Sequence, residues 1–325
     1  MKTLEERLKS YEPFWGQWRL GNELYACAGT RAFEVSRTWD GETVTAMLRV
    51  AEIRGTDAAA ETRMRNALDT YRKTEQLSDC PQVVTMKAEE LYPVCDENGA
   101  AIGWDFLFLQ ERLVSLEEEL QNGRAFTKEE ARCFGIDICR ALAYAHRREC
   151  FHGEITPGCL YRRPAGGFYM IADFGGFEQT GEERLKTECY AAPELLMGES
   201  PTKESDMYSL GLILYQLLNE NRLPFEGSVM DVRERLLNGE TWSLAENSTK
   251  TLNQVITMAC NYEAEKRFYE ASDFRLGLEH AKNGTAIKEP GKLTFLGRPM
   301  DHRMIAGFCL ASFLAGMVFQ HVVIG

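Results

Sequence analysis

Hydrophobic and polar positions set out a chain that begins in short runs and ends in long helical ones. Trp15, Trp18, Leu20 and Leu24, then Phe33 and Val35, then Val44 to Val50, predict strands, with Asp40-Gly41 as the hairpin turn between the last two runs. Asp57 to Leu77, rich in Ala, Arg, Glu and Leu, predicts a helix. Val83–Met86 and Trp104–Leu109 are strand-like and flank a polar Asp96-Glu97-Asn98-Gly99 turn. Thr127 and Glu130 form a capping box, and Phe134, Ile138, Leu142 and Ala145 follow at helical spacing, so a helix is predicted to end near Arg148.

Two short strands are predicted at Leu160–Arg162 and Phe168–Ala172, joined by a turn-prone Pro164-Ala165-Gly166-Gly167. Asp206 to Leu218 is apolar nearly all round, the pattern of a buried helix, and 229–282 is helical with polar breaks. Strands first and helices afterwards predict an α+β chain with a β-rich lobe followed by an α-rich lobe. The expected boundaries are an N-terminal segment at 1–13, lobes at 14–113 and 114–282, a Gly- and Pro-bearing linker at 283–303, and a final apolar segment at 304–325.

That last segment carries no charge from Met304 to Phe319. Its 22 residues would reach about 33 Å as a helix, enough for a hydrocarbon core of about 30 Å. A membrane span is the expectation, with a buried C-terminal helix as the alternative. Lys292, Arg298 and Arg303 precede the run, which would place the large domain on the cytosolic side. The N-terminus lacks the apolar core of a secretory signal. A net charge of −12 disfavours nucleic acid as a partner. Ten scattered cysteines with no C-x-x-C pair suggest reduced thiols and not a disulfide framework.

Residues 151–225 hold an ordered series of motifs: Phe151-His152-Gly153-Glu154-Ile155-Thr156-Pro157, Ala172-Asp173-Phe174-Gly175, Ala192-Pro193-Glu194, Asp206-Met207-Tyr208-Ser209-Leu210-Gly211 and Leu223-Pro224-Phe225. In order and spacing the series resembles the C-lobe of a Ser/Thr protein kinase. The likeness is to bacterial members that open on a W-x-x-W-like segment, here Trp15 to Trp18, and carry a G-I-D-I-C-x-A-L helix, here Gly135 to Leu142. It spans about residues 14–280. The resemblance implies a two-lobed kinase-like fold, with ATP and Mg²⁺ as the family's cofactors and protein hydroxyls as its substrates. It also implies structural roles for His152 beneath Phe174, for Asp206 as acceptor from the catalytic-loop backbone, and for a Glu194–Arg267 ion pair.

Set against what phosphoryl transfer requires, most positions are replaced. The three loop glycines become Tyr25, Cys27 and Thr30, so the loop reads as an ordinary β-turn around Gly29. Arg49 stands where the family has its phosphate-binding lysine, or else lies along the sheet surface. The lysine's glutamate partner falls near Thr70, with Asp69 one residue away and Glu61 and Glu75 further off. Glu154 replaces the catalytic aspartate, Gly153 the preceding arginine, Thr156 the lysine and Cys159 the metal-binding asparagine, although thiol is a poor ligand for Mg²⁺. Asp173 alone is conventional, either as a Mg²⁺ ligand or as a shaper of its segment. Arg49, Glu111, Leu113 and Asp173 would form the nucleotide site if one exists.

These replacements count against ATP and Mg²⁺ and favour a pseudokinase, a membrane-tethered module that binds a cytosolic protein partner. The alternative is a slow or atypical Ser/Thr kinase using Glu154, Asp173 and Arg49, with Thr180 and Thr187 open to phosphorylation. A nucleotide sensor is a third reading, resting on Asp173.

Overall fold

A computed structural model describes residues 2–27, 29–163, 167–177, 181–225, 228–282, 294–295 and 298–299. The chain divides into two units, residues 1–287 and 288–325. In the second, only a two-strand antiparallel pair, Thr294–Phe295 with Arg298–Pro299, is described. The expected membrane span at 304–325 lies outside the described residues. Among the described residues no helix is long and apolar enough to cross a membrane.

The first unit opens with α1 (Leu4–Tyr11), started by a Thr3/Glu6 capping box. Five antiparallel strands follow: β1 (Arg19–Cys27), β2 (Thr30–Trp39), β3 (Glu42–Arg54), β4 (Met86–Cys95) and β5 (Ala101–Glu111), in the spatial order β1-β2-β3-β5-β4. Helix α2 (Ala58–Gln76), capped by Asp57, connects β3 to β4. The expected strand at Trp15 is a turn instead. Trp15 and Gly16 have positive φ, Phe14 and Trp18 form a lone bridge, and the strand proper starts at Arg19. The Val83–Met86 expectation also shifts. Val83 makes a lone parallel bridge to Ile171, whereas β4 begins at Met86 and carries Pro93 on the edge of the sheet, where a missing N–H costs no ladder bond.

Helix α1 and the residues up to Pro13 pack onto this lobe. Leu4 and Leu8 of α1 pack with Phe14, Trp18, Leu48 and Leu107 on one face of the sheet. Arg7 grips the buried Asp105 carboxylate of β5 through two nitrogens, at 2.7 and 2.9 Å, and also reaches Glu52 at 2.8 Å. Tyr11 donates to the same carboxylate at 3.0 Å and stacks on Tyr92, with ring centroids 4.1 Å apart. Pairing is what makes a buried carboxylate tolerable at this depth.

Because α1 covers one face and α2 the other, β3 is buried on both sides from Ala46 to Ala51. Strand alternation then sends Ala46, Leu48 and Val50 toward α1, and Met47, Arg49 and Ala51 toward α2. A charged residue thus enters an apolar layer.

The rest of the unit is mostly helical: β6 (Val114–Ser115), α3 (Leu116–Gln121), α4 (Lys128–His146), β7 (Leu160–Arg162), β8 (Tyr169–Ile171), α5 (Gly181–Glu188), α6 (Pro193–Leu196), α7 (Lys203–Leu218), α8 (Val229–Leu237), α9 (Lys250–Ala259) and α10 (Ala271–Ala281). Helix α7 is buried on every side from Ser205 to Leu218 and packs with α4, α9 and α10 in one large core. Strands β6, β7 and β8 form a small sheet, and Val84 N–H to Ile171 carbonyl (2.9 Å) ties it to the first lobe.

Candidate functional site

Where the two lobes meet, Arg49 and Asp173 face each other. Neither side chain is more than 1% exposed, and Arg49 Nη1 lies 2.7 Å from Asp173 Oδ1. Arg49 Nε donates to Thr30 Oγ1 at 2.8 Å, and the guanidinium lies over the rings of Phe108 (5.0 Å) and Phe177 (5.4 Å). The surface-strand alternative for Arg49 is thereby excluded. Asp173 sits in the left-handed region at φ 65°, and its second oxygen, Oδ2, is buried without a hydrogen-bond partner among the described residues. Removing one member of a buried pair of this kind typically costs about 3–5 kcal/mol, because the other charge is left stranded.

Helix α2 supplies no carboxylate to this layer. Glu61, Asp69 and Glu75 are all exposed, and the position facing the lobe interface is Thr70. Its hydroxyl donates to the Gly176 carbonyl at 2.7 Å, and one turn later Thr74 Oγ1 accepts from Phe174 N–H at 3.1 Å. Among the described residues, Asp173 is the carboxylate that Arg49 meets. On the other side of the cleft, the β1–β2 hairpin pairs Cys27 with Thr30, so the ladder runs up to the turn at Gly29 (φ 78°). Leu113 is fully buried in the apolar cluster shared by Met47, Phe108, Tyr161, Ala172 and Phe177, and half-buried Glu111 pairs with Arg163 at 3.2 Å.

The loop after α4 is held from below by Asp206. Its carboxylate accepts His152 N–H and Gly153 N–H, each at 2.8 Å, and lies 2.9 Å from His146 Nε2. Buried His152 donates from Nε2 to the Ala172 carbonyl (2.7 Å) and accepts Glu154 N–H on Nδ1 (3.2 Å). Burial lowers its pKa, which keeps the ring neutral in that tautomer. The His152 ring also packs on Phe174, centroids 5.0 Å apart. Further along, Glu194 and Arg267 form a two-point pair at 2.6 and 2.9 Å, with Arg267 fully buried over Tyr208.

Those contacts are scaffold, and the reacting positions differ. Gly153 adopts φ 81°, and a Cβ there would come within 2.6 Å of Pro201, so an arginine does not fit this backbone. Thr156 and Cys159 are committed to their own turn, with Cys159 Sγ donating to the Thr156 carbonyl at 3.1 Å. Glu154 folds against Gly176: a Cβ on that glycine would lie 2.1 Å from Glu154 Oε2. It forms one wall of a cleft of about 320 Å³ shared with Arg184, Thr187, Glu188 and Arg233.

MgATP does not fit these residues as they are arranged. A triphosphate needs a free cation and a Mg²⁺ ion needs an accessible carboxylate, and here Arg49 is bound to Asp173 Oδ1 while Oδ2 is buried, so the pair would have to separate first. Sequence reasoning passed over Thr74 and Phe177, and read Thr30 only as a replaced loop glycine and not as a partner of Arg49. The two threonines donate or accept through single hydroxyls, and Phe177 is one aromatic after two glycines, so none carries a periodic signal.

Glu154 remains partly open to solvent, but protein crowds its carboxyl on the other sides. This loss of hydration raises its pKa from 4.5 to about 7, with Arg184 opposing the shift. A carboxyl whose folded pKa lies above its unfolded value favours folding below the unfolded pKa and loses that contribution as pH rises through the folded one. Glu154→Gln is therefore expected to gain stability relative to the parent chain between pH 4.5 and about 7, with a level difference above that. Urea melts across this range check the sign, and a gap that narrows with rising pH contradicts it.

Comparison with known proteins accords with this geometry. The protein kinase domain family matches residues 72–274, more than half of the chain. The match starts inside α2 and leaves out Arg49 and Thr70. Among curated relatives, the serine/threonine-protein kinase PknD of Protochlamydia amoebophila is 31% identical over 131 residues, covering 33% of this chain and 13% of the relative. A probable serine/threonine-protein kinase of Streptomyces coelicolor is 27% identical over 188 residues, covering 53% of this chain and 27% of the relative. PknJ of Mycobacterium tuberculosis is 31% identical over 170 residues, covering 46% and 28%. The aligned stretches thus span less than a third of each of these relatives. By this match and its two-lobed fold, the chain belongs to the protein kinase family, among relatives of the bacterial Ser/Thr type.

Proposed function

We propose that the chain is a pseudokinase, a kinase-fold binding module for a cytosolic protein partner, anchored to the membrane by residues 304–325. The observation that carries this reading is the buried Arg49–Asp173 pair, in which the cation and the metal-binding carboxylate of a working kinase neutralise each other. The intact C-lobe supports the module half of the reading. Asp206, His152, Glu194 and Arg267 all serve the backbone or each other, as a scaffold kept without its chemistry would.

A second reading, a slow Ser/Thr kinase acting on protein hydroxyls, draws on Glu154. A carboxyl with a pKa of about 7 beside a cleft is poised as a general base. It would still require Arg49 and Asp173 to separate before MgATP could enter.

Melting of the full-length chain with and without millimolar MgATP tests the first reading. A ligand at about 100 times its Kd would add about 2.7 kcal/mol of stability. No shift is expected. A shift accompanied by radiolabel transfer that Asp173→Asn abolishes would establish the second reading in its place. For the anchor, the full-length chain is expected to stay with membranes through alkaline carbonate washing, whereas a chain ending at residue 290 is released. Equal release of both overturns the anchor.

A further inference from the structure

The segment after Asp173 does something a Mg²⁺-binding turn does not need. Gly175 and Gly176 both have positive φ, 99° and 70°, and these consecutive left-handed residues reverse the chain so that Phe177 turns back under the sheet. Phe177 is 2% exposed. Its ring stacks on Phe108 at 5.3 Å with planes 9° apart, and Arg49 covers both rings. It shares an apolar cluster with Ala67 and Tyr71 of α2.

Three successive links then join this turn to α2: Phe174 N–H to Thr74, Thr70 to the Gly176 carbonyl, and the Phe177 ring to the layer between α2 and β5. The approach is close throughout, since a Cβ on Gly175 would lie 3.3 Å from Lys73 Nζ and 3.5 Å from Thr70 Oγ1. A glutamate at position 70 would have had to reach Arg49 through this layer. Thr70, short and buried, instead bonds the Gly176 carbonyl just before the ring.

We infer that Gly175-Gly176-Phe177 is an intramolecular latch, in which Phe177 occupies the place of the missing α2 carboxylate and fixes α2 and Arg49 in the closed cleft. Docking of α2 thereby depends on the chain after Asp173 and not on an ion pair made by the helix. A partner that draws this segment outward releases α2 and unpacks Arg49 in the same motion. The inference rests on the closed cleft described above, but not on the absence of catalysis.

Hydrogen exchange of the full-length chain, read by mass spectrometry, tests it. Phe177→Ala is expected to speed exchange across α2, residues 58–76, by about tenfold or more, while α7 keeps its protection, the signature of local opening. Unchanged exchange in α2, or equal acceleration in α2 and α7, overturns the latch, because an ordinary core residue would destabilise the whole unit together.

Should Phe177→Ala fail to fold, Gly175→Ala decides. It retains every atom of the ring and penalises the left-handed turn at φ 99°, its Cβ meeting first the flexible end of Lys73 at 3.3 Å. Selective acceleration in α2 is again expected, and none is the contrary result. MgATP binding by the parent chain would sink the pseudokinase reading and leave these exchange results to judge the latch alone.

Discussion

A guanidinium and a carboxylate buried together at the lobe interface govern this molecule. Each would be costly alone in an apolar layer, so the Arg49–Asp173 pair has to stay together for the cleft to remain closed. Much else in the first lobe follows from it. The side chain of Arg49 enters the layer because β3 is covered on both faces. Two aromatic rings then line the guanidinium where water would otherwise solvate it, an arrangement that favours a cation most when desolvated. Arginine suits such a site better than lysine, since its planar fork can bond Thr30 and Asp173 at once while lying against the rings.

The catalytic loop illustrates how a scaffold can outlast its chemistry. Asp206 orders the loop through backbone amides, which every sequence possesses, so that function survives replacement of the side chains above it. Gly153, Thr156 and Cys159 are then free to serve local geometry. Gly153 takes a left-handed φ against Pro201, and Cys159 closes a turn with Thr156. Glu154 still offers a carboxyl, but folded toward Gly176 and partly stripped of water. The result is a second lobe built like a kinase around residues that bind one another.

The features legible in the sequence were those set by local rules. Capping at Thr127, the helical composition of Asp57 to Leu77, the all-round apolar pattern of α7 and the ordered motifs from His152 to Phe225 each depend on neighbours within a few residues. What escaped depends on distant partners. Helix α1 is short and charged, and it is secured by Arg7 meeting Asp105, 98 residues away. Strand β4 alternates exposed and half-buried positions with Pro93 among them, so its pattern is faint until the sheet supplies an edge for it. Arg49 could be placed on its strand from sequence, yet its partner could not, because the pair spans 124 residues.

A double-mutant cycle on Arg49 and Asp173 tests the central claim most directly. Arg49→Met, Asp173→Asn and the double variant would be unfolded in urea beside the parent chain. If the pair holds the cleft closed, each single change costs about 3–5 kcal/mol and the double change costs well below their sum, giving a coupling of at least about 2 kcal/mol. If Asp173→Asn leaves stability unchanged or raises it, and the two changes simply add, Asp173 is a carboxylate held in reserve for a metal and the account fails.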